Sequence, residues 1–519
     1  MCGLLAAFGL TNPKPFLQTA GLMQRHRGPD FQSETIVKRG DVYNGLAHQR
    51  LSVMDLSAAG HQPMRSHSGR LEMVFNGEIY NYEELAARYG LTELRSSGDS
   101  EVALELIEKI GIEAASAEFN GMWAIIVLDM ANNQVLISRD RFGKKPLYHT
   151  CVRGMHYFAS ETKSFLSIEG FDRKPDSVTA ALFLSQSLSN IDDRTWFENA
   201  HCFPSGHSGK LRLDNLSSGL MDVKPYWCLP GDHAPQTQIN FDGLRDLVSE
   251  AIRSRLNADV PTGIALSGGL DSSIIAAVAR QHQRDDLFLL SVTNPGHNED
   301  ESHFIYVMSD HLDNKVERFS LEDNSESNLL KVFQKCLWHN DGPLPSFSPV
   351  LFFKLMEIAN SIGVTVILTG QGADEAFCGY RKYPFFAGRA LLHQRRFVEA
   401  FRFLGGFVAK GTMLPQLKFK DVKRYLGQSN ASILGETTER ASILEHMTPD
   451  GSDVSSRQRE DILKYSVPYL CHYEDRMSMA WSREIRSPFL DYRVVSAALK
   501  MPYDQKRKDG WTQSPLRRA

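Results

Sequence analysis

Two loops in this chain carry residue types that suit phosphate chemistry. The first is Leu266-Ser267-Gly268-Gly269-Leu270-Asp271-Ser272-Ser273. The apolar run 263–266 leads into it and an Ala-rich apolar run, 274–279, leads out. That order reads as strand, tight glycine turn, helix. Two glycines let the backbone approach an anion closely, and the amides opening a helix point N–H groups at it. Ser267, Ser272 and Ser273 add hydroxyl donors. Asp271 repels phosphate but suits a Mg²⁺ ion that bridges to it. The second loop, Thr369-Gly370-Gln371-Gly372-Ala373-Asp374-Glu375, follows an apolar run at 364–368. Asp271 and Asp374 could share Mg²⁺ and neutralise a pyrophosphate leaving group.

Cys2 is a different kind of candidate. A small residue after Met1 favours removal of that Met, which leaves Cys2 with both a thiol and an α-amine. The amine titrates near about 8 and the thiol near about 8.5, so the amine can take the thiol proton. Polar turn clusters follow it in order: Arg25-His26-Arg27-Gly28-Pro29-Asp30, Arg50 after Ala47-His48-Gln49, Asn76-Gly77-Glu78-Ile79-Tyr80-Asn81, Ser97-Gly98-Asp99-Ser100-Glu101, Phe119-Asn120-Gly121-Met122-Trp123-Ala124, and Arg139-Asp140-Arg141-Phe142-Gly143-Lys144-Lys145-Pro146-Leu147-Tyr148. Short strands ending in such turns describe a sheet-rich domain with a site at the strand ends.

The octapeptide resembles the pyrophosphate loop of the ATP pyrophosphatases, which cleave ATP to AMP and pyrophosphate. The Walker pattern G-x-x-x-x-G-K-[ST] is absent. Residues 2–165 resemble the class II glutamine amidotransferase domain, an N-terminal-nucleophile αββα sandwich. That resemblance implies that Cys2 attacks the glutamine side-chain amide. It implies that Arg50 pairs with the glutamine carboxylate, that Asp99 and the Gly77–Glu78 segment hold its α-amine, and that Asn76 and the Gly77 N–H form the oxyanion hole. With the loop at 369–375, then Asp475-Arg476-Met477-Ser478-Met479-Ala480 and Arg486-Ser487-Pro488-Phe489-Leu490-Asp491, nearly the whole chain is similar to the glutamine-hydrolysing asparagine synthetases.

The resemblance implies three parts: a glutaminase domain over 2–210, a connector over 211–240, and a doubly wound α/β ATP-pyrophosphatase domain with added helices over 241–519. ATP is expected to meet Leu266, Ser267, Gly268, Gly269, Asp271, Ser272, Val292, Thr369 and Gly370. The acyl-adenylate region is expected around Gln371, Asp374 and Glu375. The implied reaction converts a carboxylate, by default L-aspartate, to an amide through an acyl-adenylate, with ammonia passed between the domains. Expected partners are glutamine, ATP with Mg²⁺ and a small carboxylate, with a homodimer as a possible assembly.

Three features depart from the family pattern. Gln371 stands where an acid is common. Gln513 stands where a Lys is usual, with Lys506 or Lys508 as substitutes for its charge. The family also continues past the position of Ala519, so either the chain is shortened or this member differs. Two alternatives stay open: amidation of another carboxylate, such as a sugar acid or secondary metabolite, with selectivity changed at Gln371 and 338–343; and a regulatory or binding protein that keeps only glutaminase activity.

Several elements must position these residues. The patterns predict a helix over 101–110, a strand over 125–128 and a helix over 241–256. Beyond these come strands at 287–292 and 364–368, helices at 300–310 and 350–362, and a turn at 294–296. The region 385–465 reads as helical, with the charge runs 394–396 and 457–459 as solvated faces. The chain has 519 residues, 42% hydrophobic and 23% charged, which fits several globular domains. A net charge of −4 gives no sign of a nucleic-acid or anionic membrane partner. No run approaches the ~20 apolar residues of a membrane span. Seven scattered cysteines, and an N-terminus without a basic leader, fit free thiols in a cytoplasmic protein.

Overall fold

Successive side chains on a strand point to opposite faces, so a strand buried on both sides reads as a continuous apolar run. The strand Gly3–Leu10 shows this. Leu4, Ala6 and Phe8 share a core with Val74, Ala124 and Ile126 of a second sheet. Leu5 and Ala7 face the other way, into a core with Phe16, Leu17 and Ala20 of the helix Lys14–Met23. On the far side of the second sheet, Met73, Phe75, Ile125 and Val127 pack with Val102, Leu106 and Ile107 of the helix Asp99–Ile110. Helix, sheet, sheet, helix is the resulting stack.

The computed structural model describes residues 2–519 apart from 217–218, 220, 232–234, 236, 283–286, 294–299, 321–325, 381, 394, 402, 404–453 and 508–510. The expected turn at 294–296, Gln394 and most of the expected helical region after it lie outside the described residues. In the first sheet the order is Ala200–Cys202, Tyr148–Val152, Met155–Ala159, Gly3–Leu10, Val42–Arg50, Phe31–Arg39. In the second it is Asp222–Pro225, His207–Arg212, Gln134–Arg139, Gly121–Asp129, Leu71–Ile79, Met64–Arg65. Neighbours in both are antiparallel. The second sheet therefore runs on to Pro225, within the segment expected to be a connector.

The third sheet is parallel throughout, in the order Val316–Ser320, Phe288–Thr293, Thr262–Ala265, Val366–Leu368, Glu484–Arg486. From Thr262–Ala265 the chain crosses first to one side and later to the other. Such a reversal leaves a crevice at the carboxyl ends of the two central strands, where ligands bind in this architecture. The helix Phe241–Leu256 has the bounds its periodicity predicts.

One charge run differs from its expected exposure. Arg457 and Gln458 are 8% and 0% exposed. Arg457 donates to Asp461 at 2.9 Å, and Gln458 donates to the Glu375 carbonyl at 2.8 Å. These polar side chains satisfy backbone and carboxylate groups that packing has buried. A run of charge alone does not tell such a role from a wet face.

The two halves meet across a buried ion network. Arg27 makes a fork to Asp475, with N–O distances of 2.8 and 2.9 Å, and reaches Glu161 at 3.0 Å. Arg476 lies 3.1 Å from Glu161 and 3.2 Å from Asp341, and Lys163 is 3.0 Å from Asp341. Burial alone would raise the Glu161 pKa, but His26, Lys163 and Arg476 hold it well below the usual range. Against the same burial, Arg27 lowers Asp475. A depressed carboxylate contributes stability above its unfolded pKa, near about 4, and loses it as pH falls through the folded value. Calorimetry should show the unfolding temperature dropping as pH falls below about 4. Asp475→Asn, which leaves buried Arg27 short of charge, should cost about 3–5 kcal/mol. An unchanged unfolding profile would contradict this role.

Candidate active sites

Cys2 opens the strand Gly3–Leu10 at 8% exposure. Its N–H donates to Asn76 Oδ1 at 2.8 Å. The other atom of that amide, Asn76 Nδ2, is fully buried and has no hydrogen-bond partner. A buried donor left unpaired is costly unless something arrives to accept from it. Beside it, Gly77 permits close strand approach: a Cβ there would lie 2.1 Å from the Met122 carbonyl oxygen. Cys2, Arg50, Gly77, Glu78 and Asp99 all line one small cavity, so the fold gathers residues from four separate stretches.

The charges in that cavity are fixed in place. Arg50 donates to the Ser57 carbonyl at 2.7 Å and to the Asp55 carbonyl. Asp55 in turn accepts from Ser96 Oγ at 2.7 Å. The loop that orients the Arg50 fork is thereby tied to the segment that presents Asp99. Asp99 accepts from the Ile79 N–H at 2.7 Å, and burial raises its pKa to about 6. Burial, with Asp99 close by, pushes Glu78 well above the usual carboxylate range. Arg486, from the edge strand of the third sheet, reaches Glu78 at 3.4 Å. One cation and two acids at set separations suit a small zwitterion.

The second cavity lies at the crevice of the parallel sheet. It is lined by Leu266, Ser267, Gly269, Asp271, Ser272, Val292, Thr369, Gly370, Gln371 and Asp374, among others. Gly268 is outside that lining but sets the turn: its φ is +83°, and a Cβ would lie 3.0 Å from the Glu301 carbonyl oxygen. Ser272 Oγ accepts from the Ser267 N–H at 3.1 Å, closing the loop onto the helix Leu270–Gln281. Gln371 donates to the Tyr473 hydroxyl at 3.1 Å.

Glu375 does not share the place of Asp374. Residues Ala373–Phe377 form one short helical turn, so adjacent side chains diverge. Asp374 faces the cavity, while Glu375 is buried behind it and accepts from Tyr380 at 2.8 Å and from Ser466. Lys506 also turns away: its Nζ donates to Gln458 at 2.7 Å. Lys508 lies outside the described residues. The 338–343 segment is not in the cavity lining, and its Asp341 belongs to the interface network. The Gln513 amide, by contrast, lies within hydrogen-bond reach of both Asp271 and Asp374.

Three residues were not singled out from the sequence. Glu474 lines the second cavity at 1% exposure, and neither carboxylate oxygen has a hydrogen-bond partner. Burial raises its pKa, with the Lys144 ammonium 3.7 Å away as partial compensation. Lys144 comes from the N-terminal half and also donates to Ser487, whose hydroxyl is 3.0 Å from Thr369. Arg486 is buried behind Glu78 of the first cavity, 3.4 Å from its carboxylate. The signal available for Glu474 was its place directly before the Asp475-Arg476 motif; for Lys144 it was the turn 139–148.

Burial raises the Cys2 thiol above its ordinary value, opposed more weakly by the N-terminal positive charge and by a backbone hydrogen bond with Leu51. In the full chain with Met1 retained, iodoacetamide should label Cys2 slowly near neutrality and faster as pH rises past about 9. Exposed Cys151 and Cys228 should react first, as read by mass spectrometry of peptides. Fast Cys2 labelling at pH 7 in that form would contradict the burial effect.

Two family descriptions match successive parts of the chain. A family described as a glutamine amidotransferase domain matches residues 1–227. One described as asparagine synthase matches residues 243–519. The chain is 30% identical over 567 residues to glutamine-hydrolyzing asparagine synthetase 1 of Bacillus subtilis, covering 100% of this chain and 84% of that protein. It is 29% identical over 542 residues to asparagine synthetase 2 of the same organism, covering 100% and 69%. It is also 27% identical over 564 residues to amidase chry2 of Gibberella zeae, covering 97% and 82%. The chain belongs to the asparagine synthase family: a carbon–nitrogen ligase with an N-terminal-nucleophile glutamine amidotransferase domain and an ATP-pyrophosphatase-type synthetase domain.

Proposed function

We propose that this enzyme converts a small carboxylate to its amide through an acyl-adenylate, with L-aspartate as the default acceptor and glutamine as nitrogen source. The observation that carries the reading is the shared interface between the cavities. Arg486 of the synthetase half stands against Glu78 of the first cavity, and Lys144 of the glutaminase half stands against Glu474 of the second.

With Met1 removed, the Cys2 α-amine takes the thiol proton and the sulfur attacks the glutamine amide carbon, while Asn76 Nδ2 with the Gly77 N–H receives the oxyanion. Its collapse breaks the C–N bond, the α-ammonium returns the proton to the leaving ammonia, and water hydrolyses the thioester to glutamate. Arg50 pairs with the glutamine carboxylate, and Asp99 with Glu78 takes its α-ammonium. In the second cavity the amides around Ser267–Ser272 cradle ATP phosphates. Two half-buried carboxylates that approach one common point, Asp271 and Asp374, fit a divalent cation, which when bound offsets charge on pyrophosphate. Thr369 and Gly370 line the place where the acyl group meets the α-phosphate. When ammonia forms its C–N bond, the AMP oxygen leaves with the electron pair and Glu474 accepts a proton from nitrogen. Its raised pKa makes it a stronger base than an ordinary carboxylate, and it acts as pH rises through that value.

A second reading, amidation of a different carboxylate, has its own support. Gln371 brings no charge to the acceptor region, and one relative of similar coverage bears the name amidase.

The deciding assay follows pyrophosphate, AMP and amide with ammonia or glutamine across a panel of carboxylates. Aspartate-dependent asparagine supports the default, turnover of only another acid moves the reading to the second, and glutaminase without pyrophosphate overturns both. Cys2→Ala should abolish glutamine use and keep ammonia-dependent synthesis. Asn76→Ala should lower the glutaminase kcat by about 100–1000-fold. Glu474→Gln should keep carboxylate-dependent ATP–pyrophosphate exchange while amide formation falls by about 100-fold or more; parallel loss of both would contradict the proton role.

A further inference from the structure

Gln513 is 6% exposed and directly precedes the short helix Ser514–Arg518. Its Nε2 lies 3.0 and 3.1 Å from the two oxygens of Asp271 and 2.9 Å from Oδ1 of Asp374. One nitrogen with two hydrogens therefore faces three carboxylate oxygens. The space is reserved by a glycine: a Cβ on Gly379 would lie 1.8 Å from Asp374 Oδ1 and 2.8 Å from the Gln513 nitrogen. Glu375 adds to the negative field on both acids, while Arg517 offsets it at Asp271 and Lys382 at Asp374.

A point ringed by three carboxylate oxygens at about 3 Å is a place for positive charge. The Gln513 N–H groups supply a partial charge there. A divalent cation in the same place would need oxygen ligands from every side, including the side the amide occupies. A terminal amide can meet both demands, because its last torsion is broad and about two-fold, so one half-turn exchanges N–H for C=O. A lysine could only donate and would compete with the ion.

We propose that Gln513 is a third protein ligand of the divalent cation at Asp271 and Asp374, turning its amide over so that Oε1 replaces Nε2. The inference rests on reading this cavity as a site for ATP with its divalent ion. Gln513 then acts in two ways: it holds the two carboxylates together before the ion arrives, and it coordinates the ion afterwards. This makes the residue a component of ion binding and ties the synthetase site to a divalent ion for its charge balance.

The test uses the full chain without nucleotide or carboxylate, titrated with Tb³⁺ as a luminescent probe. Lifetimes in H₂O and D₂O count the waters on the bound ion. Asp271→Asn should abolish the signal, which locates it at this cluster. Gln513→Met, close in length but without an acceptor, should bind Tb³⁺ about tenfold more weakly and carry one more water. Gln513→Glu should restore the wild-type water count. Thermal unfolding curves of each variant confirm that it is folded. Equal affinity and water count in wild type and Gln513→Met would overturn the proposal. So would a signal that survives in Asp271→Asn, or absence of Tb³⁺ binding by the wild type. Because no substrate is present, failure here leaves the amidation reading standing, and failure of amidation leaves the ion result standing.

Discussion

The pairing of Arg27 with Asp475, and of both with Glu161 and Arg476, is the constraint on which the remaining architecture depends. These groups are buried, and an isolated ion in such a place would be untenable. Each is held by partners from the other half of the chain. The halves therefore cannot separate without exposing or orphaning several charges at once. That fixes the glutaminase turn 139–148 and the segment 474–487 against each other. Lys144 can then stand beside Glu474, and Arg486 beside Glu78.

This arrangement couples two cavities of different character. The first is small and holds fixed opposite charges around a thiol, which suits one zwitterionic substrate. The second opens at the switch point of a parallel sheet, where helix amides and two half-buried acids face the same space. In both cavities the informative atoms are those that packing has left unsatisfied. Asn76 Nδ2 and the Glu474 oxygens lack hydrogen bonds within the protein, and Glu474 is left with the Lys144 ammonium at 3.7 Å. Unpaired buried polar groups of this kind are sustained where a ligand completes them.

Motif spacing made much of this legible. The octapeptide at 266–273 announced its strand, turn and helix, because glycine conformations and a following apolar period are local properties. The continuous apolar strands Gly3–Leu10 and Gly121–Asp129 signalled burial on both faces. The cavity residues Cys2, Arg50, Gly77, Glu78 and Asp99 could be assembled from family resemblance before any coordinates. What local sequence could not give was direction. Glu375 and Asp374 are neighbours, yet one turn of helix sends them to opposite sides. Arg457 and Gln458 look like surface charge but satisfy groups that tertiary packing has enclosed.

The sequence by itself determined the chemical repertoire: an N-terminal thiol, a phosphate-suited glycine loop, and acids spaced to follow strand ends. These follow from residue type and short-range periodicity, which a chain carries whatever its fold. Only the tertiary structure decided which groups face each other. It placed Glu474 in the lining of the second cavity, set Gln513 between Asp271 and Asp374, and turned Lys506 toward Gln458. The physical reason is that such contacts span up to 242 positions of sequence. Their geometry depends on how helices and sheets pack, and no local pattern encodes it.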